Sequence, residues 1–214
     1  MKQLNNLHNL RILAVLLICF GPLTSHAETL SSYLPEGCYH TGQYKQSKTV
    51  KDMTKPLVTE GSFAFNCHHG LIWHTQLPII ETVIYKTQGD NLVLKDDLVL
   101  PKADNRIYRA LGKLLNNLIG GNDDYLQQNF TITEQVESVI LTPKNKQMQK
   151  FLRKLTISKR ENSLNIHLDI ADQQTQDIEI FSQRRLDSFE QHQCEQLVDI
   201  SQAACRLLFD GPKS

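Results

Sequence analysis

The densest group of chemically reactive side chains is a cysteine followed by histidines. Cys67, His68 and His69 are consecutive, and His74 follows five residues later. Thiolate and imidazole are good zinc ligands, and a Cys–His pair can also form a nucleophilic catalyst. Successive residues of a strand point to opposite faces, however, so these side chains converge only where a turn intervenes. We therefore expect neither a metal site nor a catalytic residue here.

The remaining charged residues indicate neither a catalytic carboxylate pair nor a nucleic-acid surface. Asp123 and Asp124 fit the first turn of a short helix, where the helix dipole favours negative charge. The basic residues are scattered and form no stripe, so no nucleic-acid partner is expected. The sequence contains no nucleophile elbow, phosphate-binding glycine loop or HExxH motif. These patterns favour a binding protein without a cofactor over an enzyme.

The N-terminus has the pattern of a secretory signal peptide. Lys2 and Arg11 supply positive charge, residues 12–20 are apolar, and the small residues Ser25 and Ala27 precede a cleavage site. The apolar run is well short of the roughly 20 residues that span a bilayer, which disfavours a membrane anchor. We expect cleavage near Ala27. The 187 residues that follow fit one domain and carry a net charge near −2.

Four cysteines remain after this cleavage, and an even number in an exported chain favours disulfides. Four cysteines allow three pairings. A hairpin centred near Met53 would place Cys38 opposite Cys67. Cys194 and Cys205 would close a local loop, but on one helix they would lie about 16 Å apart, too far for a bond. Either a turn separates this second pair or the pairing is crossed.

Short segments rich in β-branched and aromatic residues dominate residues 43–94 and 130–182. Gly, Pro, Asn or Asp separate them, as is typical of an antiparallel meander. Within these segments Phe63 and Phe65 share one face by the two-residue period of a strand. The sequence therefore predicts a large, curved antiparallel sheet.

Helical spacing appears twice. Between a cap at Asp104 or Asn105 and the pair Gly120-Gly121, apolar residues recur at helical intervals, so this helix would bury one face against the concave face of the sheet. Residues 184–209 also have a helical pattern. The predicted fold class is α+β, with a few helices covering the concave face. We expect a domain over residues 28–182 and a helical tail with two cysteines, 183–214, packed on the same domain.

The apolar side chains of such a fold have two interpretations. Each of them, taken alone, fits an ordinary filled core. As a set they suggest more, because a broad antiparallel sheet curls, and helices that cover it without filling it leave an apolar pocket.

Five short motifs follow one another in chain order: Tyr44-x-Gln46, Gly61-x-Phe63-x-Phe65, Leu71-x-Trp73-x-x-x-x-Pro78, Leu126-x-x-x-Phe130 and Leu141-Thr142-Pro143-Lys144. Each motif is weak alone. Their order and spacing resemble those of the outer-membrane lipoprotein carrier (LolA-like) family over residues 39–182.

The resemblance implies a half-open, incomplete β-barrel with helices as a lid and an apolar lumen. In that family the lumen shelters lipoprotein acyl chains that cross the periplasm. The implied partners are lipoprotein acyl chains or another lipid, an inner-membrane lipoprotein-releasing ABC transporter and an outer-membrane acceptor. We predict a periplasmic monomer whose lumen and lid residues are Phe63, Phe65, Leu71, Trp73, Leu111, Leu115 and Leu118.

One departure from the family pattern concerns cargo transfer. The family has an Arg shortly before the Leu-x-Trp segment, associated with lid closure and handover, and Cys67 stands at that position here. The first hypothesis is therefore a periplasmic lipoprotein carrier, with a carrier for another lipid as a variant of it. The second is an exported structural adaptor of the same fold with a filled interior. The third and weakest is an exported enzyme that uses Cys67 with His68 or His74.

Overall fold

The computed structural model describes residues 29–95, 98–101 and 106–210. The predicted signal peptide and the predicted caps of the long helix lie outside these residues. Within the described part of the chain, no helix is both long and apolar enough to cross a membrane.

The dominant element is one antiparallel sheet of eleven strands. In chain order the strands are β1 (Tyr39–Thr49), β2 (Leu57–Asn66), β3 (Gly70–Leu77), β4 (Glu81–Lys86), β5 (Leu92–Lys95), β6 (Leu98–Pro101), β7 (Phe130–Glu134), β8 (Ser138–Pro143), β9 (Leu152–Arg160), β10 (Ser163–Ile170) and β11 (Gln174–Arg185). The order across the sheet is β6-β5-β4-β3-β2-β1-β11-β10-β9-β8-β7, so the first strand pairs with the last. The sheet is not closed into a barrel, and the prediction of a curved antiparallel sheet in an α+β fold is confirmed.

Six helices accompany the sheet among the described residues. They are α1 (Leu30–Tyr33), α2 (Arg106–Ile119), α3 (Asp123–Asn129), α4 (Lys146–Gln149), α5 (Gln191–Cys194) and α6 (Gln202–Phe209). Helix α2 is the long predicted helix, and it ends at the glycine pair, where Gly121 has a φ of +63°. Asn122 caps α3 by accepting a hydrogen bond from the Tyr125 backbone N–H at 3.1 Å.

The two faces of the sheet carry separate apolar clusters. On β2, Phe63 and Phe65 point to one face and Ala64 to the other, as the two-residue period requires. We name these the front face and the back face. Helices α1, α2 and α3 pack on the front face, and the chain after β11 packs on the back face.

The C-terminal segment differs from its sequence-based prediction. Strand β11 continues to Arg185, and two short helices replace the single helical stretch expected over residues 184–209. A turn between Cys194 and Cys205 brings their Cα atoms within 5.7 Å, and the two form a disulfide. The bond holds Cys194, Cys205 and the Phe189 ring in the back-face core, so the tail adds a helical layer opposite α2.

Candidate functional site

The front face gathers the seven residues predicted to line a lumen and its lid. Five of them are at most 6 % exposed and belong to one cluster: Phe63, Phe65, Leu71, Trp73 and Leu118. Leu111 and Leu115 of α2 are half-buried against the same cluster. We name this set, with its apolar neighbours, the front cluster.

Strand register explains why these residues meet. Phe63 pairs with Trp73 and Phe65 with Leu71 across β2 and β3, so the four side chains occupy adjacent positions on one face. The next strand continues the row, because Val83 and Tyr85 lie opposite Trp73 and Leu71. Neither Val83 nor Tyr85 was predicted as a site residue, although the alternation along β4 places both on the front face.

Tyr44 is a further residue that the sequence-based site did not include. Its ring stacks on the Trp73 ring with centroids 3.8 Å apart, and Phe63 lies 6.1 Å from Trp73 on a similar plane. The Tyr44 hydroxyl is hydrogen-bonded to the Thr75 hydroxyl at 2.7 Å. The phenol therefore has a polar partner although the side chain is fully buried.

Tyr44 gives a prediction about alkaline pH. Burial raises the pKa of the Tyr44 phenol to about 12; the Thr75 hydrogen bond opposes this rise and the Glu81 charge adds to it. The folded pKa exceeds the unfolded value of about 10. The neutral Tyr44 phenol therefore makes its full contribution to the free energy of unfolding below about pH 10, and this contribution is lost as the pH rises towards 12. We expect ultraviolet titration of tyrosinate to show a strongly delayed phase near pH 12 that is absent in Tyr44→Phe. A Tyr44→Phe profile with the same delay would contradict this assignment.

Helix α2 lies directly on the aromatic side chains of the front cluster. A Cβ atom at Gly112 would overlap the Tyr85 ring, and one at Gly120 would lie 2.6 Å from the Phe65 ring. The Asn116 side-chain amide donates a hydrogen bond to the Tyr85 backbone carbonyl at 3.1 Å. The missing side chains of two glycines thus permit the close contact between helix and sheet.

The contact at Gly112 predicts that the effect of Gly112→Ala on stability changes sign when the Tyr85 ring is removed. We expect Gly112→Ala to lower the free energy of unfolding by roughly 1–3 kcal/mol, since the methyl group overpacks against the ring. In a Tyr85→Ala background the ring is gone, and the same change should instead stabilise by about 1 kcal/mol through helix propensity. Denaturant unfolding of the four proteins measures both effects. Equal effects in the two backgrounds would contradict the close contact.

The cysteine and histidine group does not form one site. Cys67 is bonded to Cys38, whose Cα lies 5.1 Å away, so the hairpin-based pairing is confirmed. His68 places its Nε2 3.8 Å from the Cys38 Sγ, and the ligand atoms of Cys38, Cys67 and His68 lie within 4.8 Å of one another. Both thiols are consumed by the disulfide, however, which leaves neither a thiolate ligand nor a nucleophile.

The other two histidines of the group point elsewhere. The His69 ring packs against Phe209 of α6 with centroids 4.6 Å apart. His74 is hydrogen-bonded through Nδ1 to the Thr82 hydroxyl at 2.9 Å. Burial lowers the pKa of the His74 imidazole, and the Asp199 charge opposes that shift. His74 thus contacts β4 and His69 contacts the tail, and neither contact supports a Cys–His enzyme.

Comparison with known families agrees with this architecture. The model of a family described as "Outer membrane lipoprotein carrier protein LolA" matches residues 39–192. The match covers well over half of the 214-residue chain and includes all eleven described strands. No curated protein gives a significant match to the chain.

Proposed function

Since the chain belongs to the LolA family of outer membrane lipoprotein carrier proteins, we propose that it carries lipoproteins, or a related lipid, by binding their acyl chains in the front cluster. The family supports a lipid-binding carrier role in general terms, and its members are carriers and not enzymes. The observation that carries the proposal is the grouping of aromatic and aliphatic side chains on one face of an open sheet beneath helices α1, α2 and α3.

The physical need for such a carrier follows from the cost of exposing acyl chains. Burying one CH₂ group contributes about 0.8 kcal/mol, so a chain of about 15 such groups costs on the order of 10 kcal/mol in water. Binding requires the front cluster to open, because its side chains pack against α2. We propose that α2 moves away from Tyr85 and Phe65 as a lid, and that acyl chains replace its contacts.

The family is periplasmic, and the finer assignments extend that setting. We propose that the signal peptide is cleaved near Ala27, that the mature chain is a monomer, and that it receives cargo from an inner-membrane ABC transporter and delivers it to an outer-membrane acceptor. We also propose that handover differs from the family's standard manner, since the position of the family's Arg holds Cys67, which is bonded to Cys38.

The direct test is mass spectrometry of the protein gently purified from the periplasm. We expect co-purified lipoprotein or lipid. A second readout is available because Trp73 is the only tryptophan in the chain and lies in the front cluster. Addition of an acyl-chain ligand should change its fluorescence. A protein that is always empty, with unchanged Trp73 emission at saturating ligand, would refute the carrier function.

A second candidate is an exported adaptor whose interior stays filled. The tight contact of Gly112 with Tyr85 and of Gly120 with Phe65 favours it, since both glycines fit the closed arrangement. The two candidates differ in their response to a hydrophobic dye. A carrier should bind the dye in competition with a fatty acid, whereas a filled adaptor should bind neither.

A further inference from the structure

The two disulfides of the protein lie in different surroundings. Cys194 and Cys205 are both 0 % exposed, and their bond lies in the back-face core. Cys38 and Cys67 are both partly exposed, and their bond joins the segment before β1 to the turn between β2 and β3. Thiol–disulfide exchange requires that another thiolate reaches a sulfur atom. Of the two bonds, the Cys38–Cys67 bond is therefore the one open to exchange in the folded protein.

An open cleft leads to one of the two sulfur atoms of this bond. The cleft has a volume of about 590 Å³ and lies between α2 and the turns that follow β2 and β4. Cys67 lines the cleft, whereas Cys38 does not. In an exchange reaction the thiolate attacks one sulfur of the disulfide and the other sulfur leaves. A thiolate that enters the cleft thus meets Cys67, with Cys38 as the leaving group.

The leaving sulfur has an imidazole beside it. The Nε2 atom of the exposed His68 ring lies 3.8 Å from the Cys38 Sγ, within hydrogen-bonding distance of a sulfur atom. The protonated ring, and the neutral ring that carries hydrogen on Nε2, can donate a hydrogen bond to that sulfur. Such a donor stabilises a thiolate, and a more stable thiolate leaves faster. His68 is therefore placed to assist the departure of Cys38.

A buried asparagine holds His68 in this position. The Asn66 side-chain oxygen accepts hydrogen bonds from the backbone N–H groups of His68 at 2.9 Å and of His69 at 3.2 Å. The Asn66 amide nitrogen donates to the Phe189 carbonyl of the tail at 2.8 Å, and Asn66 is 3 % exposed. The turn that carries Cys67 and His68 is thus fixed to the back-face layer, which keeps the imidazole near the disulfide.

A backbone contact also keeps the two cysteines together. The Cys67 N–H donates a hydrogen bond to the Cys38 carbonyl at 3.0 Å, and the two Cα atoms lie 5.1 Å apart. This hydrogen bond does not involve sulfur, so it can hold the two thiols adjacent after the disulfide is broken. The bond can therefore form again.

We propose that Cys38–Cys67 is an exchangeable disulfide that reacts with a thiolate of another molecule, with Cys67 as the attacked sulfur and Cys38 as a leaving group assisted by His68. First the incoming sulfur forms a bond to the Cys67 Sγ, the bond to Cys38 breaks, and its electron pair stays on the Cys38 Sγ, which then takes up a proton. A second thiolate then attacks the incoming sulfur and releases Cys67, which also takes up a proton. Overall, two external thiols are oxidised to a disulfide, and Cys38 and Cys67 are reduced to thiols. This inference is independent of the proposed carrier function.

The test follows the reduction of each disulfide in the folded protein. The protein is incubated with glutathione or with reduced thioredoxin and quenched with N-ethylmaleimide, and the cysteine peptides are quantified by mass spectrometry. We expect Cys38–Cys67 to be reduced at least roughly tenfold faster than Cys194–Cys205 by either reagent. At early times the glutathione adduct should lie on Cys67.

Two histidine variants test the role of the imidazole. His68→Ala removes an exposed ring and should slow the reduction of Cys38–Cys67 roughly tenfold. The matched control is His192→Ala, which removes an exposed ring two positions before Cys194 and should leave both rates unchanged. Equal melting temperatures of the parent and the two variants would confirm that the rates refer to the same fold.

Each other outcome decides a separate point. Equal rates for the two disulfides, or reduction that occurs only in denaturant, would overturn the proposal. An unchanged rate in His68→Ala would overturn the role of His68, and an adduct on Cys38 would overturn the choice of the attacked sulfur. Reduction by thioredoxin and not by glutathione would support exchange and assign it to dithiol proteins, whereas reduction by glutathione supports exchange with small thiols.

Discussion

Trp73→Ala is expected to cost about 3–5 kcal/mol of the free energy of unfolding, the largest loss that a single substitution in the front cluster should produce. The indole is 6 % exposed and stacks at 3.8 Å on Tyr44, with Phe63 at 6.1 Å on a similar plane. Truncation to a methyl group removes these contacts and leaves a void that the surrounding strands of the sheet can fill only in part. Denaturant unfolding followed by circular dichroism measures the loss.

Trp73→Phe is the matched control for this prediction, because it keeps an aromatic ring at the same position. We expect it to cost less, roughly 1–2 kcal/mol, since part of the stacking on Tyr44 survives. Conversely, a loss below about 1 kcal/mol in Trp73→Ala would mean that the front cluster is loosely packed. That result would favour an interior already able to admit a ligand without movement of α2.

The sheet and its two faces could be predicted from sequence because a strand has a strict two-residue period. Phe63 and Phe65 were placed together by that rule alone, and the register of β2 with β3 then brings Leu71 and Trp73 beside them. Strand β6 was missed, since four residues with a continuous apolar run, Leu98–Pro101, carry no alternation. The sequence did not predict which face of the sheet the C-terminal tail covers, because helices of four and eight residues gain their positions from tertiary contacts and not from propensity.

The contact between α2 and the sheet illustrates a second limit of sequence-based reasoning. Gly112 in the middle of a helix is noticed in a sequence only as a residue of low helix propensity. The structure explains the glycine, because the Tyr85 ring occupies the space that a side chain at residue 112 would fill.

The Cys38–Cys67 disulfide is expected to be the stronger of the two covalent contributions to stability. It closes a loop with a sequence separation of 29 residues, whereas Cys194–Cys205 closes one of only 11. Loop-closure entropy in the unfolded chain then gives about 3–4 kcal/mol for the first bond and about 2–3 kcal/mol for the second. We expect Cys38→Ser/Cys67→Ser to lower the free energy of unfolding by the larger amount, and Cys194→Ser/Cys205→Ser serves as its matched control.

The location of the first bond adds a functional consequence to this difference. Cys67 lies in the turn between β2 and β3 and packs against the front cluster, so its bond to Cys38 ties the segment before β1 to that cluster. The Cys67 backbone N–H also donates a hydrogen bond to the Cys38 carbonyl at 3.0 Å, which keeps the two segments adjacent. Loss of the Cys38–Cys67 bond should therefore weaken acyl-chain binding as well as stability, while loss of Cys194–Cys205, which lies in the back-face core, should affect stability alone. If both double variants weaken acyl-chain binding equally, the effect is one of global stability, and the Cys38–Cys67 bond has no separate role at the front cluster.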